Sequence, residues 1–152
     1  EGTPTQFDRV VKTSLIALAA ESVGGAQHCL DMTLEYTKQR VQFNRTIASF
    51  QAVKHRCADM YTAIESARSA VYAAALAEGD KKLELSLIAK AYATDAFFDV
   101  AGHAIQLHGG IGFTWEYPLH YYFKRARANR AVFGSSARDY ASLADQLLGE
   151  VA

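Results

Sequence analysis

Apolar and small residues recur along most of this chain at steps of three and four, the period of helices with one buried face. Val11, Leu15, Leu18, Ser22, Ala26, Cys29, Thr33 and Tyr36 share one face of a first helix. Ser22 and Ala26, with Gly24 and Gly25 nearby, would let a neighbouring helix approach closely. The stripe ends near Lys38 to Arg40, and basic residues suit a helix C-terminus. Residues 1–7 read as a lead-in, with Gly2 and Pro4 opposing regular structure. Residues 41–48 break the period, and Ser49 reads as the N-cap of a second helix. That helix carries Val53, Cys57, Met60, Ile64, Ala67, Val71 and Ala74 on one face and stops at Gly79-Asp80. A third stripe runs through Leu83, Leu87, Ala91, Thr94, Phe98, Ala101, Ile105 and His108 and stops at Gly109-Gly110. Helices two and three read as roughly 25–30 residues each, or about 40–45 Å. Long helices joined by a short loop pack antiparallel.

An aromatic loop, IGFTWEYP, follows, and Pro118 stands where a fourth helix starts. Leu119, Tyr122, Phe123 and Ala126 form that helix's apolar side, and Phe133-Gly134-Ser135-Ser136 breaks it. A short fifth helix over residues 137–149 carries Tyr140, Leu143, Ala144, Leu147 and Leu148 on its apolar side. No segment alternates convincingly as a β-strand. The fold class predicted is all-α: a four-helix bundle with a short fifth helix.

Composition narrows the function. The 152 residues are 50% hydrophobic and 21% charged, enough for one domain with a core. Sixteen basic residues balance sixteen acidic ones, which argues against binding nucleic acid by bulk positive charge. The basic run Lys124, Arg125, Arg127 and Arg130 reads as a solvated or interface face. Charges interrupt every apolar stretch, so no membrane span is expected. No leader is visible, and the expected compartment is the cytoplasm. Cys29 and Cys57 read as small thiols of a reducing compartment. No Glu-x-x-His pair occurs, so no metal site is expected.

The informative segments are the helix breaks. The first is Arg40-Val-Gln-Phe-Asn-Arg45, followed by Ser49-Phe-Gln51. An Arg at a helix end can fork onto a diphosphate, and a Gln at a helix start can bond a base or amide. The second is Gln106-Leu-His-Gly-Gly-Ile-Gly112, where glycines allow close backbone approach and expose amide donors to anions. Taken singly, each also reads as an ordinary feature, a C-cap turn or a solvated helix end.

Together they resemble one family in order and spacing. YTKQRVQFNRTIASFQAVKHRCADM and AIQLHGGIGFTWEYPLHYYFKRAR are similar to the second-helix entry and the glycine-rich segment of acyl-CoA dehydrogenases. AAESVGGAQ is similar to that family's first C-terminal helix. The resemblance implies a C-terminal helical-bundle domain over residues 1–152, with N-terminal and middle domains absent from this chain. It implies FAD as cofactor, an oligomer (a homo- or hetero-tetramer), an acyl-CoA substrate and an electron-transfer acceptor. By motif it assigns cofactor contacts to Arg40, Gln42, Phe43, Gln51, Gln106, Leu107, His108, Gly109, Gly110 and Ser135. Asn44 stands where the family usually has Gly.

The family's α,β-dehydrogenation, a step of fatty acid metabolism, also needs a carboxylate to take the α-proton. The resemblance places Phe133 at the position of the usual catalytic Glu, and Ser14 at the alternative position on the first helix. Neither is an acid, so no catalytic residue is assigned; Glu21, two turns further along that helix, reads first as an exposed helix glutamate and only second as a substitute base. The implied protein is a base-lacking subunit, as in heteromeric bacterial acyl-CoA dehydrogenases that degrade bulky substrates such as steroid side chains. The alternatives are a flavin dehydrogenase or related flavoenzyme with a relocated base, and a structural helical module that no longer binds flavin. The 152 residues alone are expected to fold but neither to hold FAD tightly nor to turn over substrate.

Overall fold

The computed structural model describes residues 4–79 and 81–149. Among the described residues, five α-helices make the architecture: α1 (Pro4–Gln39), α2 (Gln51–Leu76), α3 (Lys81–His108), α4 (Leu119–Asn129) and α5 (Ser136–Leu148). Between α1 and α2 lies a hairpin of β1 (Val41–Gln42) and β2 (Arg45–Thr46). The fold is an all-α bundle, as the periodicity predicts.

Helix α1 begins at Pro4, three residues inside the expected lead-in; proline lacks an N–H that the first turn leaves unpaired anyway. Gly2 lies outside the described residues. The stripe of α1 is buried from Leu15 to Cys29, and its polar members are satisfied within the helix. Ser22 Oγ donates to the Leu18 carbonyl at 2.8 Å and Thr33 Oγ1 to the Cys29 carbonyl at 2.7 Å. These bonds let hydroxyls enter a core without stranding a donor.

Cross-helix pairs fix the directions. Gly25 meets Phe97, and Tyr36 meets His108, so α1 and α3 run parallel. Arg68 on α2 donates to Gln27 on α1, and Arg56 on α2 reaches His103 on α3, so α2 runs antiparallel to both. Helix α4 returns along α1 and α3 through Asn129–Ser22 and Phe123–Phe98 contacts. The bundle therefore brings the ends of α1 and α3 and the start of α2 to one end.

Of three further expectations, two change and the stop after α2 holds at Gly79. Ser49 is not the cap of α2: its Oγ donates to the Thr46 carbonyl at 2.7 Å within a 3-10 turn, and Phe50 occupies the cap position with no side-chain bond. The expected stop at Gly79-Asp80 sits just past α2, with Gly79 left-handed (φ 62°), while Asp80 lies outside the described residues. On α5 only Leu143 of the predicted apolar side is buried; Leu147 and Leu148 are exposed. The helix docks instead through the buried ion pair of Asp139 with Lys90 of α3 (2.8 Å).

Candidate functional site

Arg40 directly follows α1, and its carbonyl accepts from the Ile47 N–H at 2.8 Å, closing the base of the hairpin. The two-residue turn, Phe43 (φ 51°) and Asn44 (φ 60°), is left-handed at both positions. That is the type I′ geometry whose twist matches paired strands, and Asn accepts it readily. The turn leaves the Phe43 ring 86% exposed. Phe43 stands edge-on to Phe50 at 6.1 Å, and the Arg45 guanidinium lies 3.9 Å over Phe50. Phe50 directly precedes α2, so the hairpin and Gln51 share one anchor.

The second break begins where Gly109 (φ 64°) turns the chain out of α3. Gly109 and Gly110 are exposed, with nothing within 4 Å of where a Cβ would stand. Gly112 is different: a Cβ there would come 2.7 Å from the Ile105 carbonyl oxygen, so the turn closes only on glycine. Gln106 and Leu107 line an open groove of about 520 Å³ between α2 and α3, with Ala52, Val53, Arg56 and His103. Gln51 directly precedes its Ala52 wall. Arg56 lies 3.1 Å from a His103 ring nitrogen, and burial, then Arg56, lowers the His103 pKa.

Tyr36 ties the two breaks together. Its backbone carbonyl accepts from the Arg40 N–H at 2.9 Å, and its hydroxyl donates to the His108 carbonyl at 3.3 Å. Its ring stacks on His108 at 4.3 Å, and Tyr117 meets the same histidine at 4.9 Å. In sequence Tyr36 reads as part of the packing stripe and Tyr117 as part of an aromatic loop; only pairing across the bundle shows their link. Arg56 and His103 were likewise unassigned, because their α2 and α3 faces are read separately in sequence.

Ser135 is not part of this cluster. It caps α5, its Oγ accepting from the Arg138 N–H at 3.3 Å. The adjoining Ser136 bonds Asp95, thirteen residues before His108 on α3, or roughly 20 Å along the axis. Phe133, just before it, is half exposed at 54% and left-handed (φ 60°). The carbonyl of Gly134 accepts from buried Lys90 Nζ at 2.5 Å. The carboxylates packed around this turn are already paired: Asp139 with Lys90 and Asp95 with Arg130 (2.7 Å). Glu21 on α1 is forked by Arg125 at 2.5 and 2.8 Å, and that pairing lowers its pKa.

Nucleophilic chemistry has no poised group among the described residues. Burial pushes the Cys29 thiol up to about 12 and raises Cys57 as well. No described helix is long and apolar enough to cross a membrane.

Residues 9–148 match the family described as acyl-CoA dehydrogenase, C-terminal domain. The chain belongs to the acyl-CoA dehydrogenase family. Acyl-CoA dehydrogenase IpdE2 of Mycobacterium tuberculosis is 45% identical over 83% of this chain and 39% of its own length. The Tcur3481-Tcur3483 steroid ACAD structure superposes with a TM-score of 0.89 at 32% identity, covering 95% of this chain and 41% of that one. The ChsE4-ChsE5 complex from Mycobacterium tuberculosis gives 0.84 at 31% identity, covering 93% and 39%. The chain thus spans about two fifths of the relatives it matches. Acyl-CoA dehydrogenases of this family are FAD-dependent oxidoreductases, and the neighbours include heteromeric complexes.

Proposed function

We propose that this chain is the FAD-binding and oligomerisation domain of a longer acyl-CoA dehydrogenase subunit that lacks the catalytic carboxylate. The observation that carries the missing base is the turn at Phe133. An aromatic ring fills the position, and the acids around it are committed to Lys90 and Arg130. Glu21 is no substitute, because a carboxylate forked by Arg125 is a weakened proton acceptor.

The residues at the Arg40 end fit a flavin dinucleotide. Gly109 and Gly110 are exposed, with open space where a Cβ would stand, which suits close approach of the backbone to a diphosphate. Arg40, Gln42, Gln51 and Gln106 are exposed polar side chains around the same end. Arg40 would meet the diphosphate; Gln51 and Gln106 would bond the cofactor across the groove; Phe43 would cover it. Leu107 lines the groove, and His108 stands behind it. Ser135, beside the Asp95 stretch of α3 and away from its His108 end, would reach a cofactor only at a second site, which fits a flavin shared between subunits. The chemistry FAD supplies when bound is acceptance of the substrate's β-hydride. This chain's residues hold the cofactor, and a competent partner subunit supplies the carboxylate for the α-proton. Kinship with heteromeric and steroid-acting relatives supports a hetero-oligomer acting on a bulky acyl-CoA, with an electron-transfer acceptor downstream.

The test is turnover of acyl-CoA by the full-length protein, alone and co-expressed with a glutamate-bearing partner. The expected result is flavin in both preparations and turnover only with the partner. Ordinary turnover by the homomer would favour a relocated base; absence of flavin in both would favour the structural module.

A further inference from the structure

Two segments read as flavin contacts come from different helices, the Arg40 hairpin from α1 and Gln106–Gly110 from α3. A ligand that touches both requires their spacing to be fixed. Only Tyr36, among the described residues, is bonded to each: to Arg40 through its carbonyl and to His108 through its hydroxyl and ring. We propose that Tyr36 is a positioning residue for flavin binding, locking the hairpin and the glycine segment in one frame through its stack on His108. The inference rests on the flavin reading above.

The stack depends on the state of the histidine. His108 Nδ1 bonds the Ala104 carbonyl at 2.8 Å, so it carries the hydrogen. Its Nε2 is buried and has no partner. As an acceptor, that nitrogen is tolerated there; as a charged N–H it would be a buried donor with nothing to receive it. The faces packed on the ring are Tyr36 of α1 and Tyr117 of the loop before α4. Neither is a carboxylate, and the Ala104 bond is the one influence favouring the charged form. Burial outweighs it and lowers the His108 pKa from 6.5. The sign follows: the folded stack is fully supported above that ordinary value and loses support as pH falls below it. Flavin affinity should fall over the same window.

The experiment uses the full-length flavoprotein, stripped and retitrated with FAD by flavin fluorescence, with circular dichroism as a check on folding. Tyr36→Leu should weaken FAD about tenfold, and Tyr36→Phe, which keeps the ring, by no more than about threefold. A His103→Asn background removes the other histidine beside the groove. In it, affinity should fall from about pH 7.5 to about pH 5.5, and His108→Phe should flatten that fall. Wild-type affinity in Tyr36→Leu, or an unchanged pH slope in His108→Phe, overturns the proposal; should Tyr36→Leu fail to fold, the slope decides. A wild-type protein that takes up no FAD instead defeats the flavin reading, and this inference with it.

Discussion

Phe133 combines two costs at one position: an aromatic side chain in left-handed backbone, and more than half of that side chain in solvent. A residue other than glycine pays about 1–2 kcal/mol for such a conformation. Phe133→Gly should therefore raise stability by about 0.5–1 kcal/mol, measured by denaturant unfolding, because little burial is lost. Sequence showed that Phe133 is no base, but not that the turn is left-handed, since aromatics rarely mark that geometry. Asn44 was legible, because asparagine tolerates positive φ for a stated reason. Lys90 was not: lysine is almost never fully buried, and here an Asp139 carboxylate and the Gly134 carbonyl make burial possible. Lys90→Met should cost about 3–5 kcal/mol by stranding Asp139, and adding Asp139→Leu should recover most of it.

Helix periods were readable because a half-buried helix repeats its apolar residues on one face. The period under-reads α3, which is packed by α1, α2, α4 and α5 and buries Ala89, Ala93, Phe97, Val100 and Ala104 off the predicted stripe. A helix covered on several sides has no single stripe to find. The hairpin escaped for another reason: two residues per strand are too few to show alternation. Close packing of α1 on α3 is legible in Gly24-Gly25, but not which glycine makes it. A Cβ on Gly25 would collide with the buried Phe97 ring, whereas Gly24 faces open space. Gly25→Ala should lower stability by about 1–3 kcal/mol, and Phe97→Leu should relieve it. Gly24→Ala should raise stability by up to about 1 kcal/mol through helix propensity. Thermal unfolding of the two single variants separates these outcomes by sign.

Across the whole bundle, two regions lie at different places along α3: the end at His108, where flavin contacts are proposed, and the Phe133 turn near Asp95. The sequence resemblance named both regions and could not show their separation, because spacing along a chain does not give distance across a fold. Exposed Phe43, Phe113, Trp115, Leu147 and Leu148 are apolar surface that a larger assembly would cover. On the proposed function, flavin contacts persist here without a proton-abstracting carboxylate. Its most direct test is rapid mixing of the full-length, flavin-loaded homomer with straight-chain and steroid-side-chain acyl-CoA thioesters, following bleaching of the flavin band. The flavin band should persist in the homomer and bleach once a glutamate-bearing partner is present. Bleaching of the homomer alone at an ordinary enzymatic rate, on the order of 10 per second, would contradict the proposed function.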